Sequence, residues 1–343
     1  MPWLFGPRLT LVCPDTMRLQ HHDQKPGTQP RPHRWRRVGI TILVATLAIE
    51  LLLRWPFGLG DPPLYQPDET IEYVLVPGQY RRFGHRVMVN SAHMRSEEAV
   101  LHPRPEPAHR LLVLGDSVVN GGSHVDQADL ATELLPELWH ESGGDVPLVV
   151  CNASAGSWGP ANMLAYVQRF GSFQCSEAVI VLNSADLHDL PTFAPLGPEQ
   201  PTRRPLCAIH DLIENYGLRL LPRDAQPPER AKSSTSPAED LGTLIEELTA
   251  RGVRTSVLYS IDRSELANGL HGNAAVLRDV VESHGARWCT TEGQFRATAD
   301  AGESPFRDDI HPSVPGQRAL ARAIVDCLGP SGGMTPAGAS IDR

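Results

Sequence analysis

The chain has 343 residues, 41% of them hydrophobic, enough for a proper core in one large domain or two small ones. A formal net charge of -9, with no basic stripe outside the N-terminal arm, excludes a nucleic-acid-binding domain, because phosphate contact needs a basic face. The six cysteines show neither CxxC pairs nor the density of a disulfide scaffold, which argues against structural zinc. Cys151, Cys175 and Cys327 sit in apolar surroundings and read as buried small hydrophobes, and a disulfide elsewhere stays open to a domain outside the cytoplasm.

Residues 1–37, rich in Pro, Arg, His and Gln and without periodicity, read as a disordered basic arm. An apolar run from Val38 to Leu53 follows, between Arg31, Arg34, Arg36 and Arg37 on one side and Arg54 and Trp55 on the other. It is short against the roughly 20 apolar residues that cross a bilayer, but Trp55 and Phe57 extend it into an interface. Residues 38–57 are therefore expected to form one transmembrane anchor, with Glu50 reaching the headgroups. A cleaved signal and a buried amphipathic helix are the rival readings; for a signal the preceding arm is too long and no clear cleavage site follows. The arginines predict a cytoplasmic N-terminus and an extracytoplasmic domain.

Residues 61–108 read as a β-rich lead-in, a hairpin of Ile71–Val76 and Arg86–Asn90. Its arginines, Arg81, Arg82, Arg86 and Arg95, are expected on a solvated face, the alternative being contact with an anionic glycan. From 109 to 329 continuous apolar runs alternate with helical patterns: strands at 110–114, 146–151, 178–182 and 253–259, helices at 126–140, 161–170, 238–250, 274–284 and 315–327. Such alternation predicts a three-layer α/β/α sandwich on a mostly parallel sheet. It lapses over 190–237, read as an irregular insertion near the site, and 330–343 reads as a disordered tail.

In an open α/β sheet, ligands bind beyond the carboxyl ends of the strands. Ser117 lies there, directly after the first strand, within Gly115-Asp116-Ser117. A serine hydroxyl needs a base to take its proton and a third group to orient that base. Asp308-x-x-His311, just before the last helix, offers both, with Asp309 as the second choice of orienter. Asp116 is expected to fix the nucleophile loop rather than react. His93, His102, His109, His140 and His284 are scattered without ligand spacing, and neither metal nor cofactor is expected. The Asp186, His188 and Asp189 stretch reads as an acid-rich loop beside the cleft rather than a cation site.

Gly115-Asp116-Ser117 after the first strand, with Asp308-x-x-His311 before the last helix, resembles the SGNH/GDSL hydrolase family. Val149-Val-Cys-Asn152-Ala-Ser-Ala-Gly156 resembles that family's second element, in which a glycine N–H joins the oxyanion hole. The resemblance covers roughly Tyr65 to Leu328, and the stretch Asn90–Arg95 looks like the approach in membrane-anchored relatives. It implies catalysis by Ser117, His311 and Asp308, an oxyanion hole from the N–H groups of Ser117 and Gly156, and support from Gly115 and Asp116. The third element departs: in Asn183-Ser184-Ala185-Asp186, Ala185 stands where the family has its oxyanion Asn, which leaves Asn183 or His188 as the candidate donor, or a hole of two donors only. Asn152 reads as a residue that shapes its turn.

With the outward-facing anchor, the resemblance implies a serine esterase acting on O-acetyl esters of an envelope or exported polysaccharide. An O-acetyltransferase, which puts a sugar hydroxyl in place of water, and a degenerate glycan-binding or assembly module are the alternatives. Partners would be an acylated carbohydrate, the membrane through one helix, and polysaccharide-biosynthesis proteins.

Overall fold

A computed structural model of the chain describes residues 32–101, 108–217 and 235–329. Residues 1–31 of the expected arm, 218–234 of the insertion and the tail 330–343 lie outside them. Two compact units are separated at Leu47 and Ala48. The described residues of the first unit all belong to helix α1 (Pro32–Arg54), which starts inside the stretch expected to be an unstructured arm. Val38, Ile40, Ile42, Leu43, Val44 and Leu47 are exposed on it.

Among the described residues no helix is long and apolar enough to cross a membrane. Glu50 interrupts the apolar run, and its carboxylate is engaged with protein rather than headgroups. It accepts the N–H groups of Ala208 and Ile209 at 2.8 and 3.1 Å, the free donors that begin helix α5 (Ala208–Leu212).

In the second unit the lead-in forms two hairpins where the sequence suggested one. Strand β1 (Tyr65–Asp68) pairs antiparallel with β2 (Glu72–Leu75), and β3 (Gly78–Arg82) with β4 (His85–Val89). Two local turns outcompete the longer pairing. The Asp68 Oδ1 accepts from Thr70 N and Ile71 N, both at 3.0 Å, an Asx turn. Phe83 and Gly84 both take positive φ, 53° and 83°, as a two-residue hairpin turn of matching twist requires. Of the four lead-in arginines, Arg81 and Arg86 are exposed as expected, but Arg82 and Arg95 are buried.

The main domain carries a five-stranded, all-parallel sheet: β5 (His109–Gly115), β6 (Leu148–Ser154), β7 (Glu177–Leu182), β8 (Arg254–Tyr259) and β9 (Arg287–Thr290), in the order β6-β5-β7-β8-β9. On one face lie α3 (Ala131–Glu141), α9 (Glu292–Asp300) and α10 (Val314–Leu328), packed on one another; on the other lie α4 (Pro160–Phe170), α6 (Pro237–Ala250) and α8 (Gly272–Ser283). This is the expected α/β/α sandwich. Leu111–Leu114 and Val179–Leu182 are fully buried because helices cover both faces; each such side chain contributes about 1.5–3 kcal/mol.

Cys289 and Cys327 form a disulfide between β9 and α10, which corrects the reading of Cys327 as a free buried thiol. Cys151 and Cys175 are free and buried. Cys207 is free and accepts from His210 N at 3.4 Å at the start of α5.

Candidate active site

The strand order reverses direction at β5 and β7, the crevice where ligands settle in such sheets. Ser117 leaves the end of β5 as the first residue of the short helix α2 (Ser117–Asn120), and Asn183 leaves the end of β7. Gly115 is required by close approach: a Cβ there would lie 2.4 Å from Val119 Cγ2. Asp116 caps α2, its Oδ1 accepting from Val118 N at 2.8 Å, so it shapes the nucleophile loop as expected.

The loop 304–313 brings the other two residues to Ser117. It is a tight hairpin: Arg307 N donates to His311 O at 2.9 Å, Ser313 N to Pro305 O at 3.0 Å, and Phe306 bridges Pro312. Gly316 in the first turn of α10 lets this hairpin close down, since a Cβ there would overlap Pro305 O at 1.9 Å. The His311 Nε2 then lies 2.9 Å from Ser117 Oγ, and its Nδ1 lies 2.9 Å from both oxygens of Asp308. Asp309 points away, its side chain 97% exposed.

Asp308 Oδ1 also accepts from the backbone N–H groups of His311 and Ile310, at 2.8 and 3.1 Å. Burial works to raise the Asp308 pKa, but these donors and the imidazole outweigh it and hold the carboxyl at about 2. An ionised Asp308 keeps the proton of a neutral imidazole on Nδ1, leaving the Nε2 lone pair to accept the Ser117 hydroxyl.

Asn183 is hydrogen-bonded to the nucleophile loop. Its Nδ2 donates to Asp116 Oδ2 at 2.9 Å and its Oδ1 accepts from Ala185 N at 2.8 Å. It stiffens the nucleophile loop from the neighbouring strand. His188 Nε2 lies 3.4 Å from Asn273 Nδ2. Gly156 has open space where a side chain would be, and its carbonyl accepts from the Tyr73 hydroxyl. Asn152 is fully buried, donating to Thr132 Oγ1 at 2.9 Å and accepting from Ser154 Oγ, in keeping with a shaping role.

Beneath the site lies an acid-rich layer. Asp186 Oδ2 accepts from Asn183 N at 2.6 Å; burial and then the charge of Asp116 push its carboxyl well above the usual range. Asp189 is raised to about 6, first by burial and then by Asp116. Among the described residues no cluster of metal-ligating side chains occurs.

Three contributors carry no sequence signal. Gln317, fully buried on α10, donates to Val118 O at 3.0 Å and accepts from Ala131 N at 2.9 Å, tying the nucleophile helix to α3 and α10. Arg263, which opens helix α7 (Arg263–Asn268), donates to Asp308 O at 2.8 Å and to Phe306 O at 3.4 Å, fastening the His311 loop. Tyr73 holds the Gly156 turn. Each acts through a backbone carbonyl, whose position only the fold supplies.

No family model matches the chain. No curated protein matches it. Solved structures similar to it include a catalytic mutant of Axe2, an acetylxylan esterase from Geobacillus stearothermophilus, at 15% identity and a TM-score of 0.40, covering 64% of this chain and 94% of that one. The psychrotrophic esterase EstA from Pseudoalteromonas sp. is similar at 15% identity and a TM-score of 0.37, covering 64% and 96%. TesA is similar at 18% identity and a TM-score of 0.40, covering 65% and 99%.

Proposed function

We propose that this chain is a serine esterase acting on small acyl esters, with Ser117 as nucleophile, His311 as general base and acid, and Asp308 as its orienter. The observation that carries the reading is the continuous contact from Ser117 Oγ to His311 Nε2 at 2.9 Å and from His311 Nδ1 to Asp308 at 2.9 Å. As Oγ attacks the ester carbonyl carbon, its proton passes to Nε2 and the carbonyl oxygen becomes an oxyanion. The N–H groups of Ser117 and Gly156 are the donors assigned to it. Collapse expels the alcohol, which takes the proton from Nε2. A water activated by His311 then releases the acyl group and restores Ser117.

The substrate class follows from the family resemblance: an O-acetyl group on a carbohydrate, released to water or passed to a second sugar hydroxyl. Membrane association through α1, prolonged by exposed Trp55 and Phe57, belongs to the same proposal, with the catalytic unit on the extracytoplasmic side. Its supports are the arginine-flanked row of exposed apolar side chains and the disulfide.

Labelling by a fluorophosphonate tests the centre of the reading, because only an activated serine reacts. Intact mass should show one adduct on the folded protein and none on Ser117→Ala. Absence of an adduct on folded wild type would favour the non-catalytic glycan-binding alternative, which the Ala185 departure keeps in view.

A further inference from the structure

Next to the end of α1 the second unit carries a depression of about 370 Å³, none of whose lining residues belongs to the triad or its supports. Its charged lining is Arg54, Arg81 and Arg204 against a single acid, Asp61, and Leu206 stands on its edge. Glycines build the floor. Gly58 and Gly60 take positive φ, 60° and 87°, a conformation that side chains rarely tolerate. A Cβ on Gly58 would lie 2.3 Å from Arg81 O, and one on Gly60 3.2 Å from Arg54 Nη2, so the bare backbone lets both arginines close in. Fully buried Asp211 accepts from Gly60 N at 2.6 Å and ties this floor to α5.

The charge there does not balance. Arg54 pairs with Glu50 at 3.1 Å and Arg204 with Asp61 at 3.2 Å, and the Glu50 carboxylate is shared with the two N–H groups that begin α5. Among the described residues the Arg81 guanidinium makes no hydrogen bond or ion pair, nor does that of exposed Arg203, one residue from Arg204. Two cations are thus left over on a chain whose formal net charge is -9. Guanidinium donors match the oxygens of a phosphate.

The rim selects the kind of phosphate. Leu206 is 89% exposed, and Trp55 and Phe57, between Arg54 and Gly58 in the chain, are 76% and 50% exposed. Backbone bonds hold this rim in place, from Phe83 N to Phe57 O at 2.6 Å and from Leu59 N to Leu53 O at 3.1 Å. A soluble anion gains nothing from apolar side chains held in water. A bilayer surface offers headgroup phosphate beside acyl carbon, and Trp settles at that boundary.

We propose that this depression is a binding site for the headgroup of an anionic phospholipid, with Arg81 on the phosphate, Arg203 adding to the attraction, and Leu206, Trp55 and Phe57 entering the acyl boundary. It rests on the membrane association proposed above and owes nothing to the esterase chemistry.

Full-length protein on vesicles tests it, one set of phosphatidylcholine alone and one containing one-third phosphatidylglycerol, each with a trace of its lipid bearing a diazirine on the headgroup. After illumination, peptide mapping should find adducts on residues 54–61, 81 and 203–206. Their yield per bound protein should be about fivefold or more higher from phosphatidylglycerol, the scale of one arginine near an anionic surface. The double variant Arg81→Glu, Arg203→Glu has no contact to lose, should melt as wild type does, and should abolish that preference. Charge reversal at Arg318 and Arg322, exposed on α10, should leave it unchanged. Equal yields from the two lipids, a preference that survives the double variant, or an equal loss in the α10 variant would overturn the site. Flotation with neutral vesicles and no anionic preference in the adducts sinks the headgroup site alone. Flotation and adducts that both require phosphatidylglycerol and the two arginines sink membrane association through α1 alone.

Discussion

Asp308 shows how much chemistry one short motif can carry and how little of its support is visible in it. A carboxylate three residues before His311 was readable as an orienter, because that spacing in a turn can set it against Nδ1. What selects it over Asp309 is the hairpin closure, which turns Asp308 under the imidazole and leaves Asp309 97% exposed. Asn in place of Asp308 would present its amide donors to Nδ1, so that the imidazole proton moves to Nε2 and the base can no longer take the Ser117 proton. Asp308→Asn should therefore lower kcat on 4-nitrophenyl acetate by about 10⁴, the scale of such tautomer defects in serine triads, with little change in KM. A loss under about tenfold would remove Asp308 from this role. Asn183, Gln317 and Arg263 could not be given their parts from sequence, since each works through a partner more than 45 residues away or through a main-chain oxygen.

At the scale of elements, the buried parallel strands were legible because burial on both faces writes an unbroken apolar run. Strand β9 writes none: Arg287-Trp-Cys-Thr290 is short, half-exposed and at the sheet edge, and α7 and α9 have few buried residues. The lead-in was legible as β structure but not in its pairing, which the two turns decide. Its seat on the sandwich depends on Asp68, whose side chain is 7% exposed and pairs with Arg169 of α4. Burial tends to raise the Asp68 pKa, but the N–H groups of Ile71 and Thr70, the Thr70 hydroxyl and Arg169 hold it at about 2, below its ordinary 3.8. A depressed folded-state pKa contributes stability that is present above the unfolded value and lost as pH falls through the folded one. The contribution, about 2 kcal/mol at neutral pH, should fade between about pH 4 and pH 2. Asp68→Asn should then lower the denaturation midpoint at pH 7, and the gap to wild type should close near pH 2. A gap independent of pH would mean that packing, not charge, holds this corner.

The molecule as a whole poses a question of sidedness, and the disulfide gives it a chemical handle. Cys289 and Cys327 lie 38 residues apart, with no spacing that announces a pair, and Cys327 sits on an apolar helix face, which is why the bond was not legible. Arg287 Nη1 donates to Cys327 O at 2.7 Å beside it, so the end of α10 is clamped to the edge strand while its start carries the His311 hairpin. A bond closing such a loop stabilises by about 2–4 kcal/mol, largely by restricting the unfolded chain, and structural disulfides persist in oxidising compartments and are rare in reducing ones. Rapid acid quenching of cells, followed by mass-tagging of denatured thiols and peptide mapping, should find Cys151, Cys175 and Cys207 tagged at once and Cys289 and Cys327 tagged only after reduction. The Cys289→Ser, Cys327→Ser variant should unfold at lower denaturant by an amount matching that range. Tags on Cys289 and Cys327 without reduction in cells, from a protein that forms the bond once purified in air, would place the catalytic unit on the cytoplasmic side and remove the extracytoplasmic proposal while leaving the site chemistry untouched.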